Sequence, residues 1–206
     1  YVRDFLKYIE VPRGFLTNNP ILDDDMLAKI GSCNGKIGWL GGNGRPDCAA
    51  GHSIVGGKAK DKSSELITDC NAVVKQAHSH SVKHTVWSIP PKDIRMVTFC
   101  DSAFDPMGVR HQHGWLICVT NHWFNLNQRA PVSLMCWKSR KLPRKAGSPQ
   151  LTETYVASSA CAETNWVRCI LFSMLYADFS IVTQWPECIK PPPRPPTVLR
   201  TDRSEI

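Results

Sequence analysis

Long apolar runs are absent from the sequence. No stretch reaches the roughly 18 apolar residues that a membrane-spanning helix requires, which excludes a transmembrane protein and a membrane partner. Close cysteine pairs are absent as well, because the nine cysteines are widely spaced and include no CxxC motif. A secreted disulfide scaffold has a dense, even set of cysteines, and a structural zinc site has two close ligand pairs. We therefore expect reduced, mostly buried thiols in an intracellular protein, cytoplasmic or nuclear.

The composition is that of a basic globular protein. The 206 residues are 42% hydrophobic, which argues against wholesale disorder, and they suffice for one medium domain or for a small domain with a helical attachment. Lys and Arg number 25 against 18 Asp and Glu, so the formal net charge of +7 is compatible with an acidic partner. Because the chain opens on YVRDF and closes on DRSEI, we expect a fragment of a longer reading frame.

A helical pattern extends over residues 22–87. An acidic run precedes the first helix, and the glycine-rich cluster at 41–44 predicts where that helix ends. Pro46 can open a second, shorter helix, and the glycine pair at 56–57 predicts its end. Apolar residues at helical spacing predict a third helix over 63–79.

After residue 92 the pattern changes to strands and one long helix. The predicted elements are three short strands, a helix and a last strand, at residues 95–100, 115–120, 132–137, about 150–176 and 197–200. The first three strands follow one another too closely for helical crossovers, which predicts an antiparallel meander. The last strand follows a helix, so it can pair in parallel with the first. This order of elements predicts an α/β fold.

Three acidic residues stand at the ends of predicted elements. Asp101 follows the first strand, Glu153 lies in the first turn of the long helix, and Asp202 follows the last strand. If the two strands are neighbours, all three carboxylates can meet at one corner, where their mutual repulsion requires a divalent cation such as Mg²⁺. Two such ions about 4 Å apart would activate a water for phosphodiester hydrolysis. Two alternatives remain: the acids are simply solvated, or Asp178 is the third ligand, although no strand precedes it.

Several short motifs occur in a fixed order along the chain. They are GRPDCAA at 44–50, CDSAF at 100–104, GWLI at 114–117, CWKSRK at 136–141, LTETYVA at 151–157 and LRTD at 199–202. In the same order they resemble the TRPDIA, CDADW, SGYVF, ISWSSKKQ, STEAEYIAL and IYCDN motifs of copia-type retrotransposon polyproteins. The resemblance covers nearly the whole chain, and its order agrees with the predicted strands and helices.

The resemblance implies both a fold and an activity. Residues 93–206 would form a ribonuclease H-like domain, a mixed sheet of an antiparallel three-strand meander plus a parallel strand, packed on a long helix. Residues 1–92 would be the helical end of the reverse transcriptase, or connection segment. By resemblance, Asp101, Glu153 and Asp202 would hold two Mg²⁺ ions, with Mn²⁺ as an alternative, and the domain would hydrolyse the RNA strand of RNA–DNA hybrids. The implied partners are that hybrid and the upstream reverse transcriptase domain of the same polyprotein.

The sequence departs from the family pattern at three places. Pro149 stands at the start of the long helix, where proline is tolerated. The interval from Glu153 to Asp202 is 202 − 153 = 49 residues, longer than in the family, and includes a proline-rich stretch at 190–196. The family's fourth metal-site acid lies beyond the position of Ile206. These departures leave two other hypotheses open: a decayed or domesticated nucleic-acid-binding module, and a connection module in which the three acids do not converge.

A basic run lies between the third strand and the long helix, at Lys138, Arg140, Lys141, Arg144 and Lys145. It predicts phosphate contacts with the hybrid, since Lys and Arg supply most of the salt-dependent affinity for nucleic acids. The alternative is a solvated basic loop.

For the histidines and for Arg45, the sequence favours structural roles over metal binding or catalysis. Zinc needs four converging ligands, and no cysteine stands at motif spacing from His78, His80 or His84. His111 and His113 are expected in a surface turn before the second strand. Arg45, in the Arg-Pro-Asp sequence, is expected to stabilise a turn.

Overall fold

The computed structural model describes residues 2–18, 20–104, 111–121, 123–124, 129–142, 146–180 and 197–201. The α-helices in these ranges are α1 (Val2–Phe5), α2 (Asp24–Asn43), α3 (Pro46–Lys58), α4 (Glu65–Ser79) and α5 (Pro149–Leu175). The strands are β1 (Arg95–Ala103), β2 (Gln112–Thr120), β3 (Val132–Lys141) and β4 (Thr197–Thr201). Short 3-10 turns occupy Phe15–Asn18, Ala59–Asp61 and Pro91–Asp93. The protein is therefore mixed α/β, as predicted.

The chain forms two compact units. Over the described residues, the first unit contains 2–83, 111–112 and 138–142, and the second contains 84–104, 113–137, 146–180 and 197–201. The first unit is dominated by helices α1–α4, and the second contains helix α5 and most of the sheet.

Helix α2 begins and ends where the sequence predicts. The Asp23 carboxylate caps its N-terminus by accepting a hydrogen bond from the Met26 N–H at 2.8 Å. At the other end, the Gly44 N–H donates to the Leu40 carbonyl, so the glycine cluster ends the helix as predicted. Helix α3 then opens on Pro46, also as predicted.

The first unit has its own apolar core. Helices α2, α3 and α4 pack on one another and bury a set of aliphatic and thiol side chains that includes Ile37, Cys48, Val55, Ile67 and Val74. Burial of this apolar surface is the main favourable contribution to the stability of the unit.

Asn71 ties the segment before α2 to helix α4. Its carboxamide oxygen accepts from the Ile9 N–H at 2.8 Å, and its Nδ2 donates to the Ile9 carbonyl at 3.0 Å. Because one side chain satisfies both backbone groups of Ile9, this segment is held in place without a strand partner.

The four strands form one sheet in the order β3-β2-β1-β4. Strands β1, β2 and β3 make the predicted antiparallel three-strand sheet. Each of these strands is longer than the sequence pattern indicated, since β1 continues to Ala103, β2 begins at Gln112 and β3 continues to Lys141. Strand β4 pairs in parallel with β1, and the register runs from Met96 beside Thr197 to Cys100 beside Thr201.

Helix α5 packs against β1 and covers the sheet. Its N-terminus is capped by the Ser148 hydroxyl, which accepts from the Leu151 N–H at 3.2 Å, and Pro149 occupies the first turn, where its missing N–H has no cost. The core between helix and sheet includes Met96, Ile117 and Val156, none of which is exposed to solvent. Among the described residues, no helix combines the length and apolar character needed to cross a bilayer.

The prediction for His111 and His113 is wrong. Both are buried, with exposed fractions of 3% and 1%, instead of lying in a surface turn. Strand β2 starts three residues earlier than predicted, so the two-residue period of the strand places His113 on the same face as the buried Trp115 and Ile117. The His113 ring stacks on the Trp115 ring, with centroids 5.6 Å apart and planes 23° apart.

Candidate functional site

Asp101 lies near the C-terminal end of β1. Cys100, which precedes it, is buried, and the alternation of the strand leaves Asp101 exposed. Its Oδ1 accepts a hydrogen bond of 2.8 Å from the Ser102 N–H, which orients the carboxylate relative to the strand. The other oxygen of the carboxylate lies outside this hydrogen bond, so the side chain offers a hard oxygen donor at the surface.

The parallel pairing of β1 and β4 reaches the residue before Asp101. The last pair in the register is Cys100 beside Thr201, and the next residues in the sequence are Asp101 and Asp202. Asp202 itself lies outside the described residues, so its place in the site stays a prediction.

Glu153 is the fifth residue of helix α5, just after the first turn in which the sequence had placed it, because the helix begins at Pro149; its side chain is half-buried. Its neighbour Thr152 is 1% exposed, and the Thr152 hydroxyl donates to the Pro149 carbonyl at 2.5 Å. Val156, one turn further along, is fully buried in the core between helix and sheet. These contacts fix the first turns of the helix and leave Glu153 at the margin of the buried face.

The topology brings Asp101 and Glu153 toward the same edge of the sheet. Strands β1 and β3 both run antiparallel to β2, so they end at one edge. Helix α5 follows β3 and precedes β4, which runs parallel to β1, so the helix returns the chain across the sheet from that edge. The N-terminal end of α5, which includes Glu153, and the last residues of β1 therefore lie toward a common edge.

A buried hydrogen bond joins α5 to β1. The hydroxyls of Thr98 and Thr164 are 2.7 Å apart, and the Thr164 hydroxyl also donates to the Ala160 carbonyl at 2.6 Å. Thr98 is 0% and Thr164 2% exposed, so the pair is shielded from water. It sets the position of the helix along the strand that carries Asp101. Sequence reasoning missed this pair, because threonines 66 residues apart carry no periodic signal.

The donor chemistry of the described carboxylates fits a magnesium site. Asp101 and Glu153 offer only oxygen atoms, the ligands that Mg²⁺ prefers. Within the described ranges, which exclude Asp202, there is no group of three or more His, Cys, Asp and Glu side chains that could hold a metal ion. The convergence of the three predicted ligands therefore stays a prediction.

The basic residues at the end of β3 are exposed. Lys138, Arg140 and Lys141 present their side chains to solvent, whereas Ser139 between them is half-buried and accepts a hydrogen bond from Gln112 at 3.1 Å. The alternation of exposed and half-buried residues thus continues from Lys138 to Arg140. Arg144 and Lys145 lie outside the described residues.

The histidines of the other group, His78, His80 and His84, make contacts with the backbone and with neighbouring side chains. The His78 ring bonds the Leu6 carbonyl at 2.8 Å, and the His80 ring contacts the Ser79 hydroxyl at 2.9 Å. The His84 ring stacks on Trp137, with centroids 5.6 Å apart and planes 9° apart. Each of the three rings therefore has a partner within the described part of the protein.

Arg45 stabilises the turn between α2 and α3, as predicted. Its side chain is 9% exposed and forks onto the Asp47 carboxylate through two hydrogen bonds of 2.9 and 2.8 Å. A third bond of 2.9 Å reaches the Ala77 carbonyl on α4. The hydrogen bonds from Arg45 lower the pKa of Asp47, and they raise the pKa of Arg45 itself.

Comparison with known proteins adds no assignment. No family model matches the chain, and no curated protein is significantly similar to it.

Proposed function

We propose that this chain is the ribonuclease H portion, with its connection segment, of a copia-type retrotransposon polyprotein, and that it hydrolyses the RNA strand of RNA–DNA hybrids. The parallel register of β1 and β4 carries the proposal, because Cys100 and Thr201 are paired and each precedes an aspartate. A three-strand meander, a long helix and a parallel strand follow one another in the order that the motif resemblance implies. This arrangement supports a ribonuclease H-like fold.

In the proposed site, Asp101, Glu153 and Asp202 hold two Mg²⁺ ions, with Mn²⁺ as an alternative. When bound, the ions supply the activation of a water and the stabilisation of the leaving oxygen. The chain's own contribution is to fix the carboxylates. The Ser102 N–H orients Asp101, and the buried Thr98–Thr164 hydrogen bond positions the helix that carries Glu153.

The substrate is an acidic polymer, and the exposed basic end of β3 suits it. Lys138, Arg140 and Lys141 can contact phosphates of the hybrid, and Arg144 and Lys145 continue the same basic run in the sequence. Such contacts position the duplex but do not distinguish its strands. Selection of the RNA strand rests on the ribose 2′-hydroxyl.

A cleavage assay tests the proposal. The full chain is incubated with Mg²⁺ and a hybrid labelled on either the RNA or the DNA strand. We expect cleavage of the RNA strand alone, reduced at least about 100-fold, or about 2.7 kcal/mol of activation free energy, in each of Asp101→Asn, Glu153→Gln and Asp202→Asn. Asp178→Asn, which changes the rival third acid, is the matched control and should cleave at the wild-type rate.

Two outcomes would contradict the proposal. Cleavage that survives Asp101→Asn would not come from this site. If Asp178→Asn lost cleavage while Asp202→Asn cleaved normally, the third ligand would be Asp178 instead of Asp202. The register between β1 and β4 would then have no role in the site.

The second candidate function is nucleic-acid binding without catalysis, as in a decayed or domesticated element. The exposed Lys138, Arg140 and Lys141 favour it, because phosphate binding does not require the acidic residues. Hybrid binding that is retained while Mg²⁺-dependent cleavage is absent would establish this function in place of the first.

A further inference from the structure

The helical first unit contains an open cavity of about 600 Å³. One wall is the segment at residues 7–10, and the other is a face of helix α2 that contributes Lys29, Ser32, Cys33 and Lys36. These α2 residues follow one another at intervals of three, one and three positions, which places them on the same side of the helix. The volume lies within the range of sites that bind small organic ligands.

The wall at residues 7–10 is held in place by hydrogen bonds. Asn71 on α4 bonds both backbone groups of Ile9, and the Cys33 Sγ on α2 donates to the Lys7 carbonyl at 3.8 Å. Ile9 and Cys33 are both buried. Because these bonds fix the segment against both helices, the cavity is formed before any ligand enters, which lowers the cost of binding.

The charged side chains of the cavity are mainly positive. Lys7, Lys29 and Lys36 line it together with one carboxylate, that of Glu10. Lys29 pairs with Asp25 of its own helix at 2.7 Å, so its charge is compensated. Within the described part of the chain, Lys7 and Lys36 form no ion pair. Each wall therefore supplies one uncompensated ammonium group, and together they favour an anionic ligand.

The neutral groups of the cavity narrow the class of anion. Ser32 is exposed on α2 between Lys29 and Lys36, and its hydroxyl can donate to a phosphate oxygen. Tyr8 is 46% exposed, so its ring offers an aromatic surface of the kind on which nucleic-acid bases stack. Lysine binds phosphate as a point charge. Ammonium groups, a hydroxyl and an aromatic ring are together the groups that a nucleotide requires.

We propose that this cavity binds a nucleotide, with a phosphate group between Lys7 and Lys36 and the base against Tyr8. Ser32 donates a hydrogen bond to the phosphate. Glu10 lies in the same wall as Lys7, and its negative charge repels the phosphate and limits the affinity. The site belongs to the helical unit and is independent of the proposed nuclease activity.

Isothermal titration calorimetry of the full chain tests the proposal. The buffer contains EDTA, which removes the divalent ions that the acidic residues of the nuclease site would need. The three ligands are ADP, adenosine, which lacks the phosphates, and inorganic phosphate, which lacks the base. We expect ADP to bind at one site per chain, and each of the other two to bind at least about tenfold more weakly.

A charge-matched pair of double variants tests the role of the lysines. Lys7→Gln with Lys36→Gln should weaken ADP binding at least about tenfold, since each lysine makes a charge-assisted contact with the phosphates. The control is Lys60→Gln with Lys75→Gln, which changes two exposed lysines outside the cavity and lowers the net charge equally. The control should bind ADP as the wild type does.

Two single variants should change the affinity in opposite directions. Glu10→Gln removes the charge that repels the phosphate, so we expect it to strengthen ADP binding about threefold. A folding defect cannot produce this gain. Tyr8→Ala removes the ring that contacts the base and should weaken ADP binding about fivefold, with no effect on the weak binding of inorganic phosphate.

Four results would overturn the proposal. The first is the absence of ADP binding at millimolar concentrations. The second is equal weakening by the two double variants, which would make the binding a property of the net charge. The third is equally tight binding of ADP and inorganic phosphate, which would leave the base without a role. The fourth is displacement of ADP by an RNA–DNA hybrid, which would assign these lysines to a polymeric ligand.

Discussion

At the scale of single residues, Arg45 shows how one side chain holds a turn. A planar guanidinium can bind both oxygens of a carboxylate and still reach a carbonyl, which lysine cannot do. Arg45 uses this geometry to bond Asp47 within its own turn and the Ala77 carbonyl 32 residues away. The Arg-Pro-Asp sequence indicated a structural role, and only the fold shows that the role includes helix α4.

Asp47→Asn should change the pH dependence of stability. Because the Arg45 hydrogen bonds lower the pKa of Asp47 in the folded protein, this carboxylate stabilises the fold above the pKa of an unfolded aspartate, about 3.9. That stabilisation is lost as the pH falls toward the lower folded-state pKa. We expect the free energy of unfolding of the wild type to exceed that of Asp47→Asn by about 1–2 kcal/mol at pH 7. This difference should shrink as the pH falls from about 5 to about 3. Urea denaturation of both proteins at several pH values measures this difference. A difference in unfolding free energy that did not change with pH would contradict the prediction.

At the scale of secondary-structure elements, the Thr98–Thr164 pair allows a double-mutant test. Thr164→Val removes the partner of a hydroxyl that is fully buried, so we expect a loss of about 1–3 kcal/mol of unfolding free energy. The double variant Thr98→Val with Thr164→Val replaces both polar groups by methyl groups of similar shape and should be closer to wild type than Thr164→Val alone. Chemical denaturation of Thr98→Val, Thr164→Val and the double variant gives the coupling free energy between the two hydroxyls. If the losses of unfolding free energy in the single variants simply added in the double variant, the two hydroxyls would not be coupled.

Two helical glycines of the first unit should respond oppositely to alanine. A methyl group on Gly51 would lie 2.3 Å from Val73 Cγ2, so α3 and α4 depend on this close approach, whereas nothing lies within 4 Å of a methyl group on Gly35. We expect Gly51→Ala to destabilise the protein by about 1–3 kcal/mol and Gly35→Ala, in the interior of α2, to stabilise it by about 0.5–1 kcal/mol. Thermal unfolding compares the stability of the two variants with that of the wild type. If Val73→Ala partly restored the stability of Gly51→Ala, the contact with Val73 would be the cause of its destabilisation. Equal effects of Gly51→Ala and Gly35→Ala on stability would contradict the prediction.

The sequence predicted the elements better than their ends. Apolar periodicity located α5 and β1–β3, but it stopped β3 at residue 137, although the alternation continues through Lys138, Ser139 and Arg140 with polar side chains. It likewise missed the start of β2, because the histidines there read as a polar turn. Strand pairing extends a strand beyond its hydrophobic residues, and that pairing is a tertiary effect that the local pattern does not contain.

At the scale of the whole molecule, contacts between distant residues account for what the sequence did not predict. Asp101 and Glu153 were predicted as metal ligands because each stands near the end of a predicted strand or helix. The hydrogen bond that positions the helix joins Thr98 to Thr164, and the Asn71 side chain bonds both backbone groups of Ile9, 62 residues away. Neither separation is marked by periodicity, so these pairs become visible only when the helices and strands are packed.

The net charge of the molecule, +7, leads to a prediction for nucleic-acid binding. If the basic end of β3 contacts phosphates, the triple variant Lys138→Gln, Arg140→Gln, Lys141→Gln should flatten the slope of log K against log salt by about 2–3, since each contact releases roughly one counterion. The matched control changes three other exposed lysines, Lys60, Lys75 and Lys92, and lowers the net charge equally. The affinity of both triple variants for the hybrid is measured in EDTA at several salt concentrations. If both variants flattened the slope alike, overall charge, and not this strand end, would carry the binding.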